Sequence, residues 1–212
     1  MRYHAVVGPG DVLPGRPFTD AEHTVQEVET MGVMLERERD WARSWADNGG
    51  GRGHVTREPD AEGRRHLLVV PDVRALRDAR DVTAVGFFSR PREDVEHDVL
   101  FVLEDELVGR MPRYAAMGLL SYYDVELVKG AYGNLILFST PDVPAEWRAD
   151  TIHRRAVEIS PGHYYEVRLH KGSIEGPLMG SGTIAVERTK YFDFKEDEVW
   201  YGLRRFEDAA PG

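Results

Sequence analysis

Arg168 and His170 stand two residues apart in the run HYYEVRLH at 163–170. In a strand that spacing puts both on one face, about 6–7 Å apart, with Tyr164 and Glu166 beside them, while Tyr165, Val167 and Leu169 face the other way. An arginine there holds a carboxylate or stabilises a developing anion, and a histidine moves a proton near neutral pH. Glu166 either completes a His/Glu acid–base pair or simply pairs with Arg168 across a wet surface. The run at 118–127 offers a second polar set, Tyr122, Asp124 and Glu126, alternating with Tyr123, Val125 and Leu127. These sets are richer in aromatic and ionisable groups than a solvated sheet requires. They are expected to line a partly enclosed small-molecule pocket in which Tyr122 or Tyr164 donates a hydrogen bond.

Other constellations are thinner. His163 falls on the opposite strand face from Glu166 and His170, and no HxH or HExxH occurs, which argues against a closed zinc site. The glycines of NGGGRG at 48–53 follow no apolar strand and lead to no Gly-Lys-Ser/Thr, so they read as a loop rather than a phosphate cradle. Gly180-Ser181-Gly182 lacks the strand-to-helix elbow of a nucleophilic serine.

The elements that must position the polar strands follow from periodicity. Thr19, with Glu22 three places on, forms a capping-box pattern opening a long helix to about 48, with Val28, Leu35 and Ala42 as its apolar stripe and 36–40 as its polar face. A glycine-rich, charged loop at 48–65 and a short strand at 66–73 follow. Strand 82–89, helix 92–111, strand 118–127, a turn at Lys129-Gly130, strand 132–139, helix 145–158 and strand 163–170 then give the order β-α-β-β-α-β. Two further strands are expected at 183–194 and 198–206. The division is an N-terminal extension over 1–75, an α+β domain over 76–206 with a ferredoxin-like antiparallel sheet, and a tail at 207–212. With both helices on one face of such a sheet, the other face must meet solvent, a second domain or a partner's sheet.

That element order, with the helix WRADTIHRRA running into HYYEVRLH, resembles the dimeric α/β-barrel superfamily over roughly 82–194. The resemblance implies a homodimer or higher homo-oligomer and a pocket on the barrel side of the sheet. It also implies chemistry of an oxidoreductase or lyase type, either cofactor-free or dependent on haem b. His153 lies with Ala149, Ile152 and Ala156 on the inward side of its helix, and in the haem version it is the iron ligand, with Arg168 or His170 on the distal side. Otherwise His153 is a structural histidine. In the cofactor-free version His170 is the base and Arg168 binds the anion. The competing class is a non-catalytic protein whose polar strand face is a ligand-binding or subunit surface.

Composition narrows the partners. The 212 residues carry 27 basic and 37 acidic side chains, a net charge of −10, which disfavours nucleic acid and anionic membranes. The absence of cysteine removes disulfides, thiolate metal sites and thiol nucleophiles. With no apolar run long enough to span a bilayer and no signal-like N-terminus, a cytoplasmic protein acting on a small molecule is expected.

Overall fold

The computed structural model describes residues 3–46, 53–127, 131–195 and 198–206. Its elements are β1 (Ala5–Val7), α1 (Ala21–Ala46), β2 (His54–Pro59), β3 (Arg65–Val70), α2 (Val73–Asp78), β4 (Arg80–Pro91), α3 (Asp98–Ala115), β5 (Leu119–Glu126), β6 (Tyr132–Phe138), α4 (Ala145–Ala149), α5 (Thr151–His163), β7 (Tyr164–Pro177), β8 (Ala185–Asp193) and β9 (Trp200–Arg205). The nine strands form one sheet in the order β1-β9-β8-β7-β4-β6-β5-β3-β2. Every pairing is antiparallel except that of β1 with β9. The class is α+β. The Lys129-Gly130 turn and the 207–212 tail lie outside the described residues. Among the described residues no helix is long and apolar enough to cross a membrane.

Helices cover both faces of the sheet, which corrects the expectation of one uncovered face. On the first face Met31, Met34, Leu35 and Ala42 of α1 and Val73 and Leu76 of α2 pack on Val82, Ala84 and Phe88 of β4 and Leu135 and Leu137 of β6. On the second, Met111 and Tyr114 of α3 and Trp147 of α4 pack on Val85, Tyr122, Ile136 and Phe138. A central strand buried on both sides needs apolar residues at successive positions, and this is why 82–89 reads as a continuous apolar run.

Residues 1–75 supply α1 and the strands β1, β2 and β3 to this same sheet. Glycine-rich though it is, the 48–65 stretch contains β2, hydrogen-bonded along its length to β3.

The buried stripe of α1 differs from the expected one. It runs through Glu27, Met31, Met34, Leu35, Glu38 and Ala42, all at most 8 % exposed, so two glutamates lie among apolar residues. Arg39, assigned to the polar face, is 2 % exposed and spans to the Leu178 and Gly182 carbonyls at 2.7 Å each. Asp20 rather than Thr19 caps the helix, its Oδ1 accepting from the Glu22 N–H at 3.0 Å. Thr19 instead donates to the Arg16 carbonyl and accepts from the Leu13 N–H.

Two other helix boundaries move for local reasons. Arg92 does not open α3, because its N–H donates to the His163 carbonyl and its guanidinium to the Pro161 and Phe194 carbonyls, and the chain then turns at Glu93–Asp94 before the helix begins at Asp98. The helix expected at 145–158 is two helices. Asp150 is extended (φ −59°, ψ 139°) and caps α5 through the Ile152 N–H at 2.9 Å, after which α5 continues through Pro161 in its last turns to His163.

Candidate functional site

Apart from His153, the residues singled out in the sequence fall on two buried polar clusters on opposite faces of the sheet. Under α1, β7 directs Arg168 and His170 at Glu27. Arg168 Nη2 donates to Glu27 Oε1 at 2.6 Å, and its Nε reaches both carboxylate oxygens at 2.8 and 3.0 Å. His170 is 1 % exposed and sits between Glu27 Oε2 at 2.7 Å and Thr189 Oγ1 at 2.8 Å, with the Phe88 ring against it. Both ring nitrogens are therefore engaged, Nε2 with the Glu27 carboxylate and Nδ1 with the Thr189 hydroxyl. Burial alone would raise the Glu27 carboxyl. The hydrogen bonds from His170 and Arg168, with their charges, outweigh it and hold the group below its ordinary value. Glu166 belongs to this face too, tied to Lys195 Nζ at 2.7 Å.

Arg168, His170 and Glu166 are thus brought together as the strand register predicts. Arg168 Nε and Nη2 and both ring nitrogens of His170 are engaged by neighbours, and Glu27 of α1 closes over these two. The arrangement anchors the N-terminal helix to β7, and nothing in it leaves an edge of His170 open to a substrate.

Tyr164 does not join them. A register irregularity between β4 and β7 at Arg90/Pro91 turns it to the other face, where its ring meets Phe87 edge-on at 5.8 Å between centroids. Strict alternation fails at a bulge, so the shared face expected from spacing does not extend to Tyr164.

On that second face Tyr122 and Tyr164 flank Asp124, and the cluster is completed by Asn134 of β6, Arg65 of β3 and Glu104 of α3. Asp124 Oδ2 accepts from Arg65 Nη2 at 2.8 Å, and Arg65 Nη1 donates to Glu104 Oε2 at 2.7 Å. Asn134 Nδ2 donates to Asp124 Oδ1 and lies 3.2 Å from the Tyr122 hydroxyl. The Arg65 guanidinium lies over Phe101, at 4.9 Å from the ring centre, and over Tyr132, at 5.8 Å, the two rings meeting edge to face.

Two carboxyl groups therefore share one cation, with unequal surroundings. Asp124 is 3 % exposed. Burial, reinforced by the charge of Glu104, pushes its carboxyl up to about 8, against the opposing pull of Arg65 and Asn134. Burial and the Asp124 charge also raise Tyr164, and burial raises Tyr122 well above the phenol range, so both phenols stay protonated. The rim is more open, with the Arg65 side chain 30 % exposed and that of Glu104 11 %. The floor holds an acid that keeps its proton near neutrality, and the rim holds a cation with a second carboxylate.

His153 stands apart from both clusters. Burial lowers it, against Asp150 and the Arg148 carbonyl, so the imidazole is neutral, and Nδ1 is buried without a hydrogen-bond partner among the described residues. Its ring lies on Trp147, 5.8 Å between centroids, and Trp147 is wedged against Tyr114 at 4.9 Å and Phe138 at 5.7 Å. An axial histidine needs an open apolar slot for a macrocycle on its metal side, and here aromatic rings fill the space. These residues do not fit haem. No group of three or more His, Asp or Glu among the described residues is placed to hold a metal ion.

Sequence reasoning had Tyr122, Tyr164 and Asp124 in view but missed Arg65, Glu104, Asn134 and Glu27. Asn134 carried a signal, as the one polar residue inside the apolar run of β6. Glu27 carried a weaker one, its 4-residue spacing from Met31. Compared with protein-family models, with curated proteins and with solved structures, the chain matches none of them.

Proposed function

We propose that the chain is a cofactor-free small-molecule enzyme of lyase type, working at the Asp124–Arg65–Glu104 cluster on a ferredoxin-like core. The order β7-β4-β6-β5 within the sheet, with α3 and α5 as the connections, supports that core. The barrel dimer is not carried forward, because α1 packs on the face a partner's sheet would need. The observation that carries the functional reading is the unequal carboxyl pair. Asp124 retains a proton near neutral pH, and Glu104, on the other side of Arg65, is placed to accept one.

Such a pair suits elimination of water from a small 3-hydroxy acid. Arg65 holds the substrate carboxylate, Glu104 removes the proton from C2, the C3–oxygen bond breaks, and Asp124 gives its proton to the departing hydroxyl. Tyr122 and Tyr164 supply hydrogen bonds at the floor. Protons balance over the cycle, since one leaves C2 to Glu104 and one leaves Asp124 with the water; solvent exchange restores both groups.

The test is proton NMR in D2O with 3-hydroxybutyrate, malate and 3-hydroxy-3-phenylpropionate as probes. Exchange at C2 or formation of the unsaturated acid is expected with at least one of them, and is lost in Asp124→Asn and Glu104→Gln. Turnover unchanged in both variants, or none with any probe, would overturn the assignment. The competing non-catalytic reading draws on Arg65 being fully engaged by two carboxylates and two rings; it predicts the second of those outcomes.

A further inference from the structure

Glu38 lies in the middle of α1, on the face opposite the Asp124 cluster. It is 1 % exposed, and neither carboxylate oxygen completes a hydrogen bond. Its surroundings are Leu35 and Arg39 of α1, Leu76 of α2, and Leu178 and Met179 of the turn joining β7 to β8. Beneath it on β5 are Ser121, whose hydroxyl is also buried without a completed hydrogen bond, and Tyr123. A carboxylate in such a place has lost its water and gained only the nearby Ser121 hydroxyl and the Arg39 charge in exchange, whereas the protonated acid is tolerable.

We propose that Glu38 is a proton-operated latch: protonated, it lets the C-terminal half of α1 seat on the sheet, and ionised, it drives that half and the 177–184 turn apart from it. The turn is included because the neighbouring Arg39 is its tether, donating to the Leu178 and Gly182 carbonyls.

The charged groups around Glu38 do not cancel its charge on ionisation. Arg39 is the nearest cation, and its guanidinium is committed to those two carbonyls and to Glu36. From β5 only Ser121 and Tyr123 approach. The Tyr123 hydroxyl is 3.0 Å from His66 Nδ1 of β3, with Asp60 and Arg37 each 3.3 Å beyond the other ring nitrogen. Arg74 and Arg77 of α2 point to solvent, and the turn offers only Leu178 and Met179 to this place. Burial pushes the Glu38 carboxyl up to about 7, with the Ser121 hydroxyl and the Arg39 charge pulling the other way, so the latch operates in the physiological range.

Hydrogen exchange read by mass spectrometry on the whole protein tests the latch, using peptides covering 30–46 and 177–184 at pH 6 and pH 8, corrected for intrinsic exchange. If opening releases Glu38 to an ordinary carboxyl, the opening constant rises about tenfold between these pH values. Glu38→Gln and the apolar Glu38→Met are expected to abolish that rise. An equal rise in wild type and either variant would overturn the proposal. So would a carbon-13 titration of the wild-type carboxyl with its midpoint near 4.5, a measurement that does not depend on the variants folding.

Discussion

Glu27 and Arg168, 141 residues apart in the chain, meet in a two-pronged ion pair in which Nη2 and Nε of the arginine reach Glu27 Oε1 at 2.6 and 2.8 Å. The same carboxylate receives His170 at 2.7 Å. One glutamate from the N-terminal helix therefore engages both β7 residues that, in sequence, were the strongest catalytic candidates.

Removing Glu27 should be costly. Glu27→Ala leaves a largely buried guanidinium facing a helix without its counter-charge, a change expected to cost about 3–5 kcal/mol, read as a lowered urea midpoint. Glu27→Met combined with Arg168→Met should recover most of that loss, because the desolvation of both charges disappears with the pair. The pH behaviour follows from the lowered Glu27 carboxyl. Its contribution is present above 4.5, the ordinary value, and is lost as pH falls through the depressed folded value, so wild type should lose stability in acid more steeply than the double variant.

The register of 163–170 was legible, because successive side chains of a strand point to opposite faces whatever covers them, and this correctly grouped Glu166, Arg168 and His170. It failed at Tyr164, because Tyr165 is an extra residue in β7 opposite the Arg90/Pro91 step, an insertion that alternation cannot foresee. The faces of α1 were misread because glutamate and arginine were counted as solvent-facing. A helix can bury Glu27 when a partner arrives from residue 168, and that partner is invisible locally. The second cluster shows the same limit. Asp124 stood out as polar within a strand, but Arg65 and Glu104 reach it from a neighbouring strand and a covering helix, and sheet order, which sequence spacing does not encode, brings them together.

Asp124 should make the protein less stable as pH rises. Its carboxyl is raised from an ordinary 3.8 to about 8, so its favourable contribution is complete below 3.8 and is lost progressively as pH climbs towards 8. Glu38, raised from 4.5 to about 7, acts in the same direction. Urea midpoints measured from pH 5 to pH 8.5 are expected to decline in wild type, to decline less in Asp124→Asn, and least in Asp124→Asn/Glu38→Gln. A wild-type curve flat over that range would mean that neither acid is raised.

Trp147 and His153 separate a packing role from a ligand role. Trp147 is 5 % exposed and wedges between Tyr114 of α3 and Phe138 of β6, joining helices to sheet. Trp147→Ala is expected to cost about 3–5 kcal/mol, since an indole-sized void in a closed aromatic cluster cannot collapse fully. His153 is half-buried on the same indole with Nδ1 unpartnered among the described residues, and replacing that nitrogen by apolar atoms removes a desolvation cost that offsets the loss of its bond to the Arg148 carbonyl. His153→Leu should therefore melt at or above the wild-type temperature. Titrating haemin into both proteins completes the distinction. The same weak, non-saturating spectrum is expected from each, and a sharp Soret band seen in wild type and absent from His153→Leu would restore the histidine as an iron ligand.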